Sequence, residues 1–347
     1  MKKVFTIGSA TMDAFVECDD ANIVSVSTNH SASEFMCYPY GAKVDMSNFT
    51  ANIGGGGLNT AMNFDKLGYD TSTILKVGED IFSTGIFNYL SKTNINTKNI
   101  VVDKSLNTGF SIILVSFQGD RTVLANRGAN AAITIDDINF DNLKDADLLY
   151  IAPLNNQSNQ VLEPLVEFAH DNNIVVCFNA GTTSIKQGFS YMKKILSTSN
   201  IVVMNKEEAS MCSGIVVRTD TKTEKYSQEI IHPDIKKMLN VMKVADYQVI
   251  VVTDGGKGAY AFDGNKYYFC PIFPSEVVST LGAGDAFAST FCASLDKTNK
   301  NIAKSLIYAS IVSSSVVSKF GATEGLLSFN DIEKKLSEVK DYSVIEV

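Results

Sequence analysis

Four short apolar runs decide the fold of this chain: DADLLYIAPL (145–154), NNIVVCFNAG (172–181), NIVVMNKEEA (200–209) and YQVIVVTDGG (247–256). Each run ends in polar or glycine residues and is rich in β-branched residues. Apolar residues do not alternate with polar ones inside the runs, which is typical of strands buried on both faces. Helical stretches such as SNQVLEPLVEFAHDN (158–172) separate the runs. The pattern predicts an α/β fold with a doubly wound, mostly parallel sheet.

Outward from these runs, KVFTIGS (3–9) and TSTILKVG (71–78) predict further strands of the same sheet. Two segments, at about 15–50 and 95–128, do not follow this rhythm. They contain strand-like pieces, of which NTGFSIILVS and RTVLANR are joined by a turn at 118–120. Such pairs are typical of antiparallel hairpins. We therefore expect one domain over residues 1–347 with a small antiparallel β appendage.

Composition excludes several classes of protein. The 347 residues are 45% hydrophobic and 20% charged, with a net charge of −8. There is no basic run, and no apolar run reaches the ~18 residues of a membrane span, so we expect neither a nucleic-acid partner nor a membrane. The six cysteines lie far apart without a CxxC pair. This spacing predicts reduced thiols in a cytoplasmic protein, not a zinc site or a disulfide framework.

STLGAGDAF (279–287) is the strongest candidate for a functional motif. Gly282, Ala283 and Gly284 can expose successive backbone N–H groups at the start of a helix, an arrangement that binds anions. An acid next to an anion site suits the removal of a proton from an attacking hydroxyl, which is the role we consider for Asp285. An N-capping aspartate is an equally good explanation of this residue when the motif is taken alone.

GGGGLNTA (54–61) is a second glycine turn that opens a helix. Glycines such as Gly55 and Gly56 let the backbone approach a ligand closely, and Asn59 can bond to hydroxyl groups. A plain flexible loop is the simpler explanation of this run when it is taken alone. The chain contains neither GxxxxGK[ST] nor GxGxxG, so a P-loop and a Rossmann dinucleotide site are both excluded.

Two weaker motifs follow predicted strands. Asn205 and Glu208 form an NxxE pattern, and Glu208 is a candidate Mg²⁺ ligand through water. A helix-capping box explains this pattern better when it is taken alone. TDGGKG (253–258) is either a tight turn or the place of a nucleotide.

Taken together, these pieces resemble the ribokinase-like (PfkB) carbohydrate kinase family over nearly the whole chain. GGGGLNTA is similar to the family's GG-x-G-x-N-x-A, and STLGAGDAF is similar to its DT-x-GAGD-x-F. GSATMD, NKEEA and TDGGKGA match weaker motifs in the expected order. The resemblance implies a large α/β domain with a β lid that closes over a sugar. It also implies transfer of the γ-phosphate of ATP to a sugar or nucleoside hydroxyl, with Mg²⁺.

The resemblance gives residues of this chain four roles. It makes Asp285 the catalytic base. It makes the anion hole from the Asp285 N–H together with Gly282, Ala283 and Gly284. Substrate binding falls to Asp13, Gly55, Gly56 and Asn59. The nucleotide and its metal are served by Asn205, Glu208, Thr253, Gly255 and Gly258, with Glu208 as the metal ligand.

The chain departs from the family pattern at three positions. Ser279 and Leu281 replace the usual Asp and the usual Thr or Asn of the C-terminal signature. Because this stretch often helps to hold a monovalent cation in the family, dependence on such a cation is left open. Gly56 stands where ribokinases carry a Lys. Ribose as the substrate is therefore also left open.

An ATP-dependent sugar kinase is the expected function. A nucleoside kinase is the alternative, and the lid separates the two because a base needs an apolar slot and a sugar needs polar partners. The slot would come from Phe35, Tyr38, Tyr40 and Phe110, and the polar partners from Asn107, Arg121 and Arg127. A sugar-phosphate kinase and a non-catalytic relative are less favoured, since the chain has only three arginines and retains Asp285. We also expect a homodimer formed through the lid.

Overall fold

The computed structural model describes residues 1–27, 32–116, 121–217 and 230–347. The strands of this part of the chain are β1 (Lys3–Ile7), β2 (Thr11–Glu17), β3 (Asn22–Ser27), β4 (Ala32–Cys37), β5 (Asn48–Gly54), β6 (Asp70–Gly78), β7 (Ile100–Asp103), β8 (Gly109–Val115), β9 (Arg121–Asn126), β10 (Leu148–Ile151), β11 (Val175–Asn179), β12 (Ile201–Asn205), β13 (Val249–Thr253), β14 (Ala259–Phe262), β15 (Tyr267–Cys270) and β16 (Ile345–Glu346).

The helices of the described ranges are α1 (Gly56–Lys66), α2 (Ile81–Leu90), α3 (Phe140–Leu143), α4 (Leu162–Asp171), α5 (Thr182–Ile185), α6 (Phe189–Thr198), α7 (Lys206–Ser213), α8 (Pro233–Met242), α9 (Ala283–Lys297), α10 (Ile302–Val317) and α11 (Phe329–Glu338). Within these ranges, no helix combines the length and the apolar character needed to cross a bilayer.

A large sheet forms the centre of the molecule. Its strand order is β16-β15-β14-β13-β12-β11-β10-β1-β6-β7. All pairs from β13 to β7 are parallel, and the pairs from β13 to β16 are antiparallel. The four apolar runs that predicted the fold are β10 to β13. The predicted doubly wound, mostly parallel sheet is confirmed.

Both faces of this sheet are covered. On one face α4, α6, α7 and α8 form a core that contains Leu149 and Val202. On the other face α9 and α10 form a second core that contains the neighbouring residues Leu148 and Val203. Because successive side chains of a strand point to opposite faces, the inner positions of these strands are buried whichever face they point to. This explains why the runs lack polar alternation.

A second, smaller sheet has the order β5-β2-β8-β9, and β3 and β4 form a separate two-stranded sheet. Its outer pairs, β2 with β5 and β8 with β9, are antiparallel, while its central pair, β2 with β8, is parallel. The residues of the small sheet differ in part from those that were expected from the sequence. The sheet begins at Thr11, and residues 100–103 pair with β6 in the large sheet instead. The turn expected at 118–120 lies outside the described residues.

The small sheet is joined closely to the large one. β5 ends at Gly54 and α1 begins at Gly56, so that Gly55 is the residue between the sheet and the helix. Gly55 has a φ of 101°, and a Cβ there would lie 2.5 Å from the carbonyl oxygen of Ser9. A side chain at this position would be strained and would also clash. The glycine run is therefore a close-packed turn and not a loose loop.

The expectation of reduced thiols is wrong for one pair of cysteines. Cys177 on β11 and Cys292 on α9 are joined by a disulfide, and their Cα atoms lie 6.6 Å apart. The strand and the helix face each other in one core, which brings together residues separated by 115 positions. Spacing along the chain carries no sign of such a pairing. The other four cysteines are free, as expected.

Candidate active site

The two glycine turns meet where α1 and α9 begin. Asn59 Nδ2 donates a hydrogen bond to Asp285 Oδ2 at 2.9 Å. One turn further along α1, Asn63 Nδ2 donates to the Ala286 carbonyl oxygen at 3.3 Å and to Ser289 Oγ at 2.7 Å. These bonds fix the starts of the two helices against each other. Residues predicted separately from two distant motifs are thus brought into contact.

The turn before α9 requires glycine. Gly282 has a φ of 75°, and a Cβ there would lie 2.7 Å from both the Cβ and the carbonyl oxygen of Ala322. The Ala283 N–H donates to the Thr280 carbonyl oxygen at 3.4 Å. Because the first N–H groups of a helix have no partner within it, those of Gly284 and Asp285 are left for an anion. Ala283 therefore drops out of the predicted anion hole, because its N–H is already bonded.

Asp285 lies inside the first turn of α9 and does not cap it. The N-cap position is Gly282, and no side chain makes a capping bond there. The capping explanation of Asp285 is therefore wrong, since its carboxylate is bonded to Asn59. Burial raises the pKa of Asp285 above its usual range, while the Asn59 bond acts in the opposite direction. A carboxylate with a raised pKa is well suited to accept a proton near neutral pH.

The turn before α1 approaches the same place. The Gly56 N–H donates to Ser9 Oγ at 3.0 Å, and a Cβ at Gly56 would lie 3.4 Å from Asp285 Oδ1. A Cβ at Gly57 would lie 2.8 Å from the backbone of Gly8. The glycines therefore allow close packing of backbone against backbone beside the Asp285 carboxylate.

Asp13 lies on the other side of this turn. A Cβ at Gly54 would lie 2.2 Å from Asp13 Oδ2. Burial raises the pKa of Asp13, against hydrogen bonds from Ser111 and Thr11 that lower it. In the small sheet Asp13 is paired with Asn52 on one side and Ser111 on the other. Asn52 Nδ2 is buried without a hydrogen-bond partner among the described residues.

The row Asn52, Asp13 and Ser111 is therefore a polar strip on one face of the small sheet. Sequence reasoning found Asp13 but missed its two neighbours. A signal was present in NTGFSIILVS, where Ser111 is a hydroxyl inside an apolar strand. The position of Asn52 opposite Asp13 depends on strand register, which the sequence does not show.

Three of the five predicted nucleotide residues line one cavity of about 120 Å³. Thr253, Gly255 and Gly258 lie on one side of it, and Gly284 lies on the other. Sequence reasoning missed the remaining part of the wall, which consists of Ala259, Cys270, Ile272, Phe287, Ser310, Ser313 and Ser314. Cys270 ends β15 and Ile272 follows it, while the three serines lie on α10. Their place at the cavity follows from packing and not from a motif.

Asn205 and Glu208 form the capping box that was the alternative explanation of this motif. Asn205 Oδ1 accepts from the Glu208 N–H at 2.8 Å, and Glu208 Oε2 accepts from the Asn205 N–H at 3.0 Å. The other carboxylate oxygen of Glu208 takes no part in the box. Asn205 is paired with Thr253 across the sheet, so the box adjoins the nucleotide cavity. Burial raises the pKa of Glu208, against the backbone bond from Asn205.

Tyr150 is a site residue that sequence reasoning missed. This fully buried side chain lies on β10, and its hydroxyl accepts a hydrogen bond from Asn179 Nδ2 at 3.2 Å. Burial above all, and then the negative charges of Asp285 and Glu208, raise the pKa of Tyr150. The tyrosine thus lies near both Glu208 and Asp285, which are 77 positions apart in the sequence. A hydroxyl inside the apolar run LLYI was its only signal.

Three of the four aromatic residues considered for a nucleoside base do not form a slot beside the polar strip. Phe110 lies next to Ser111 on β8, so it faces away from the polar strip, and it stacks on Phe82 with ring centroids 4.8 Å apart. Phe35 and Tyr40 are exposed to solvent. Among the polar candidates, Arg121 reaches the C-terminal signature, where Nη2 donates to Thr280 Oγ1 at 2.6 Å.

Comparison with known proteins agrees with this geometry. The family model of the pfkB family carbohydrate kinases matches residues 1–328. A ribokinase of Bacillus subtilis is 25% identical over 342 residues, which cover 97% of this chain and 100% of the relative. A bifunctional ribokinase/ribose-5-phosphate isomerase A of Fructilactobacillus sanfranciscensis is 23% identical over 329 residues. The match covers 94% of this chain but 54% of that relative, so this chain spans about half of it.

Solved structures share the fold. The ribokinase of Arabidopsis thaliana, solved with ribose and ATP, has a TM-score of 0.75 at 20% identity, with 97% of this chain and 99% of that one covered. The nucleoside kinase of Methanocaldococcus jannaschii has a TM-score of 0.74 at 18% identity, with 98% and 99% covered. At these identities the likeness establishes the architecture and not the substrate.

Proposed function

The chain belongs to the pfkB family of carbohydrate kinases, and from this premise we propose that it transfers the γ-phosphoryl group of ATP to a hydroxyl of a small sugar. The observation that carries the proposal is the position of Asp285. Its carboxylate is bonded to Asn59, at the start of one helix, and lies beside the unpartnered N–H groups that begin another. A base and an anion site are thus adjacent, as phosphoryl transfer to an alcohol requires.

We assign the sugar to the space beside the polar strip. Asp13 would accept hydrogen bonds from sugar hydroxyls, and the unpartnered amide of Asn52 would donate to one. Gly55 and Gly56 would border the sugar through their backbone, while Asn59 would hold both Asp285 and a hydroxyl. A polar strip at this place favours a sugar over a nucleoside base, because Phe110 and Tyr40 do not face it.

The chemical step needs one proton acceptor. The hydroxyl oxygen of the sugar would form a bond to the γ-phosphorus while the bond from that phosphorus to the bridging oxygen of ADP breaks. Asp285 would take the hydroxyl proton, and the N–H groups of Gly284 and Asp285 would stabilise charge on the phosphoryl oxygens. The nucleotide would occupy the cavity between Thr253 and Gly284.

We propose Glu208 as the place of a magnesium ion. Among the described residues, no three His, Cys, Asp or Glu side chains cluster as a metal site. Mg²⁺ in phosphoryl-transfer enzymes commonly takes one or two carboxylates and completes its shell with phosphate oxygens and water. The carboxylate oxygen of Glu208 that is free of the capping box would supply the protein ligand. When bound, the ion would supply charge neutralisation to the phosphates.

We further propose a homodimer formed by the small sheet. Phe49 and Leu124 are paired with Val16 and Ile112, on the face opposite Asp13. Their exposed fractions are 57% and 54%. An exposed apolar sheet face needs cover, and a second copy supplies a matching one.

A coupled assay of ATP consumption tests the proposed activity. Free pentoses, hexoses, nucleosides and their monophosphates are offered as acceptors, with Asp285→Asn as the inactive control. We expect turnover with a free sugar and little with nucleosides. Turnover with nucleosides alone would replace the sugar by the second candidate, a nucleoside kinase. ATP consumption that is equal in the wild type and in Asp285→Asn would refute the assignment of the site.

A further inference from the structure

One arginine of the small sheet touches the signature that begins the catalytic helix. Arg121 opens β9, and its Nη2 donates to Thr280 Oγ1 at 2.6 Å. The two residues are 159 positions apart, so the contact joins two separate sheets of the fold. The Thr280 carbonyl oxygen also accepts a hydrogen bond from the Ala283 N–H. Thr280 therefore lies directly before the N–H groups that begin α9.

The register of the small sheet explains how Arg121 reaches this point. Ser111 is paired with Ala125 on β9, and Asp13 is paired with Ser111 on β2. Arg121 lies four residues before Ala125, so both point to the face that carries Asp13. The guanidinium therefore lies on the inner face of the small sheet, over the cleft and not on the outer surface.

The charge of Arg121 has no carboxylate partner in the described part of the chain. A guanidinium carries five N–H donors, and its contact with Thr280 uses one of them. Lys206, which follows the end of β12, is already paired with Asp254. Gly56, in the glycine turn before α1, has no side chain and so offers a phosphate no positive charge. A guanidinium that has no carboxylate partner among the described residues, close to the backbone N–H groups that begin a helix, is a combination that binds phosphate.

We propose that Arg121 is a catalytic residue that binds the terminal phosphate of the nucleotide, the group that is transferred. This inference rests on the proposed kinase function. The γ-phosphorus loses its bond to the bridging oxygen of ADP and gains one to the sugar oxygen, and the hydroxyl proton passes to Asp285. Arg121 keeps its own protons throughout and contributes positive charge to the phosphoryl oxygens, which carry the developing charge.

The proposal predicts that the loss of Arg121 affects the binding of a triphosphate and of a diphosphate differently. Because the contact is to the terminal phosphate, Arg121→Ala should weaken binding of a non-hydrolysable ATP analogue but leave binding of ADP unchanged. Loss of one such charge contact should also lower kcat by about 10²–10³-fold. Arg121→Lys should recover part of both losses. Lys98→Ala, which removes an exposed cation away from the cleft, serves as the matched control.

The experiment measures the affinity of each variant for the analogue and for ADP by calorimetry, without any sugar, together with kcat and melting temperature. A merely structural contact would lower the melting temperature and leave the ratio of the two affinities unchanged, which overturns the proposal. Equal binding of analogue and ADP by the wild type overturns it as well.

A separate measurement with a phosphorylated sugar tests whether Arg121 binds a phosphate of the acceptor and not that of the nucleotide. If Arg121→Ala raises KM for a phosphorylated sugar and leaves the nucleotide ratio intact, Arg121 binds the acceptor phosphate and the proposal fails. A wild type that shows the expected nucleotide ratio but phosphorylates no acceptor refutes the proposed function alone. A wild type that binds neither nucleotide refutes both.

Discussion

Asn59 Nδ2 donates to Asp285 Oδ2 at 2.9 Å, so the amide that follows one glycine turn holds the carboxylate that follows the other. The bond lowers the pKa of Asp285, while burial raises it. A residue from the opposite end of the sequence therefore favours the charged form of the proposed base, against the larger effect of burial.

Asn59 should control the acid limb of the pH profile. Asn59→Leu removes the donor, so the pKa of Asp285 should rise and kcat should fall off at a higher pH than in the wild type. Asn59→Asp adds a second negative charge, which raises the pKa of Asp285 further. We expect the midpoints of the acid limb in the order wild type, Asn59→Leu, Asn59→Asp. Identical midpoints in kcat–pH profiles would contradict the role of this bond.

Asp285→Asn should lose turnover but gain stability. Loss of a general base costs about 10²–10⁴ in rate. Because the folded-state pKa is raised, the folded chain binds the proton more tightly than the unfolded chain, and ionisation destabilises the fold. The variant should therefore melt at a higher temperature at pH 7, and the difference should vanish below the usual pKa range of aspartate. Near-normal kcat would remove Asp285 as the base.

Asp13 should set the affinity for the sugar. A carboxylate that accepts from hydroxyls contributes about 1.5–3 kcal/mol, so Asp13→Ala should raise KM for the sugar by about tenfold or more. KM for ATP should stay nearly constant. Asp13→Asn, which keeps an acceptor oxygen, should have a smaller effect. A rise in KM for ATP instead would assign Asp13 to the nucleotide.

Two glycines of the signature should respond differently to alanine. At Gly282 the positive φ and the contact with Ala322 should make Gly282→Ala destabilising by about 1–3 kcal/mol. At Gly284 a Cβ would meet no atom within 4 Å, so the fold should tolerate the change. The added methyl group should instead obstruct the terminal phosphate and weaken binding of a non-hydrolysable ATP analogue. Thermal melting and calorimetry of the two variants test this contrast.

The small sheet should mediate dimer formation. Leu124→Glu places a charge on the apolar outer face and should convert a dimer into a monomer in light scattering at micromolar concentration. Ile135→Glu, at an exposed apolar residue outside this sheet, is the control and should leave the mass unchanged. A monomeric wild type would refute the proposed dimer.

The sequence was informative where function and fold use the same local pattern. The four apolar runs predict the parallel sheet because both of its faces are buried, and the glycine turns are visible because Gly55 and Gly282 leave no room for a side chain. Asn52 and Tyr150 were not predicted. Their roles depend on strand register and on which strands are neighbours, and neither quantity is written in local sequence. The Cys177–Cys292 pairing was missed for the same reason.

Gly55 joins the end of β5 to the start of α1, so Asn52 of the polar strip and Asn59 lie on one short stretch of backbone. Because this glycine packs against Ser9 with no room for a side chain, the stretch has little slack. The residues proposed to bind the sugar and the proposed base are thereby held in one rigid frame, and a hydroxyl bound at the strip would meet Asp285 without a costly rearrangement.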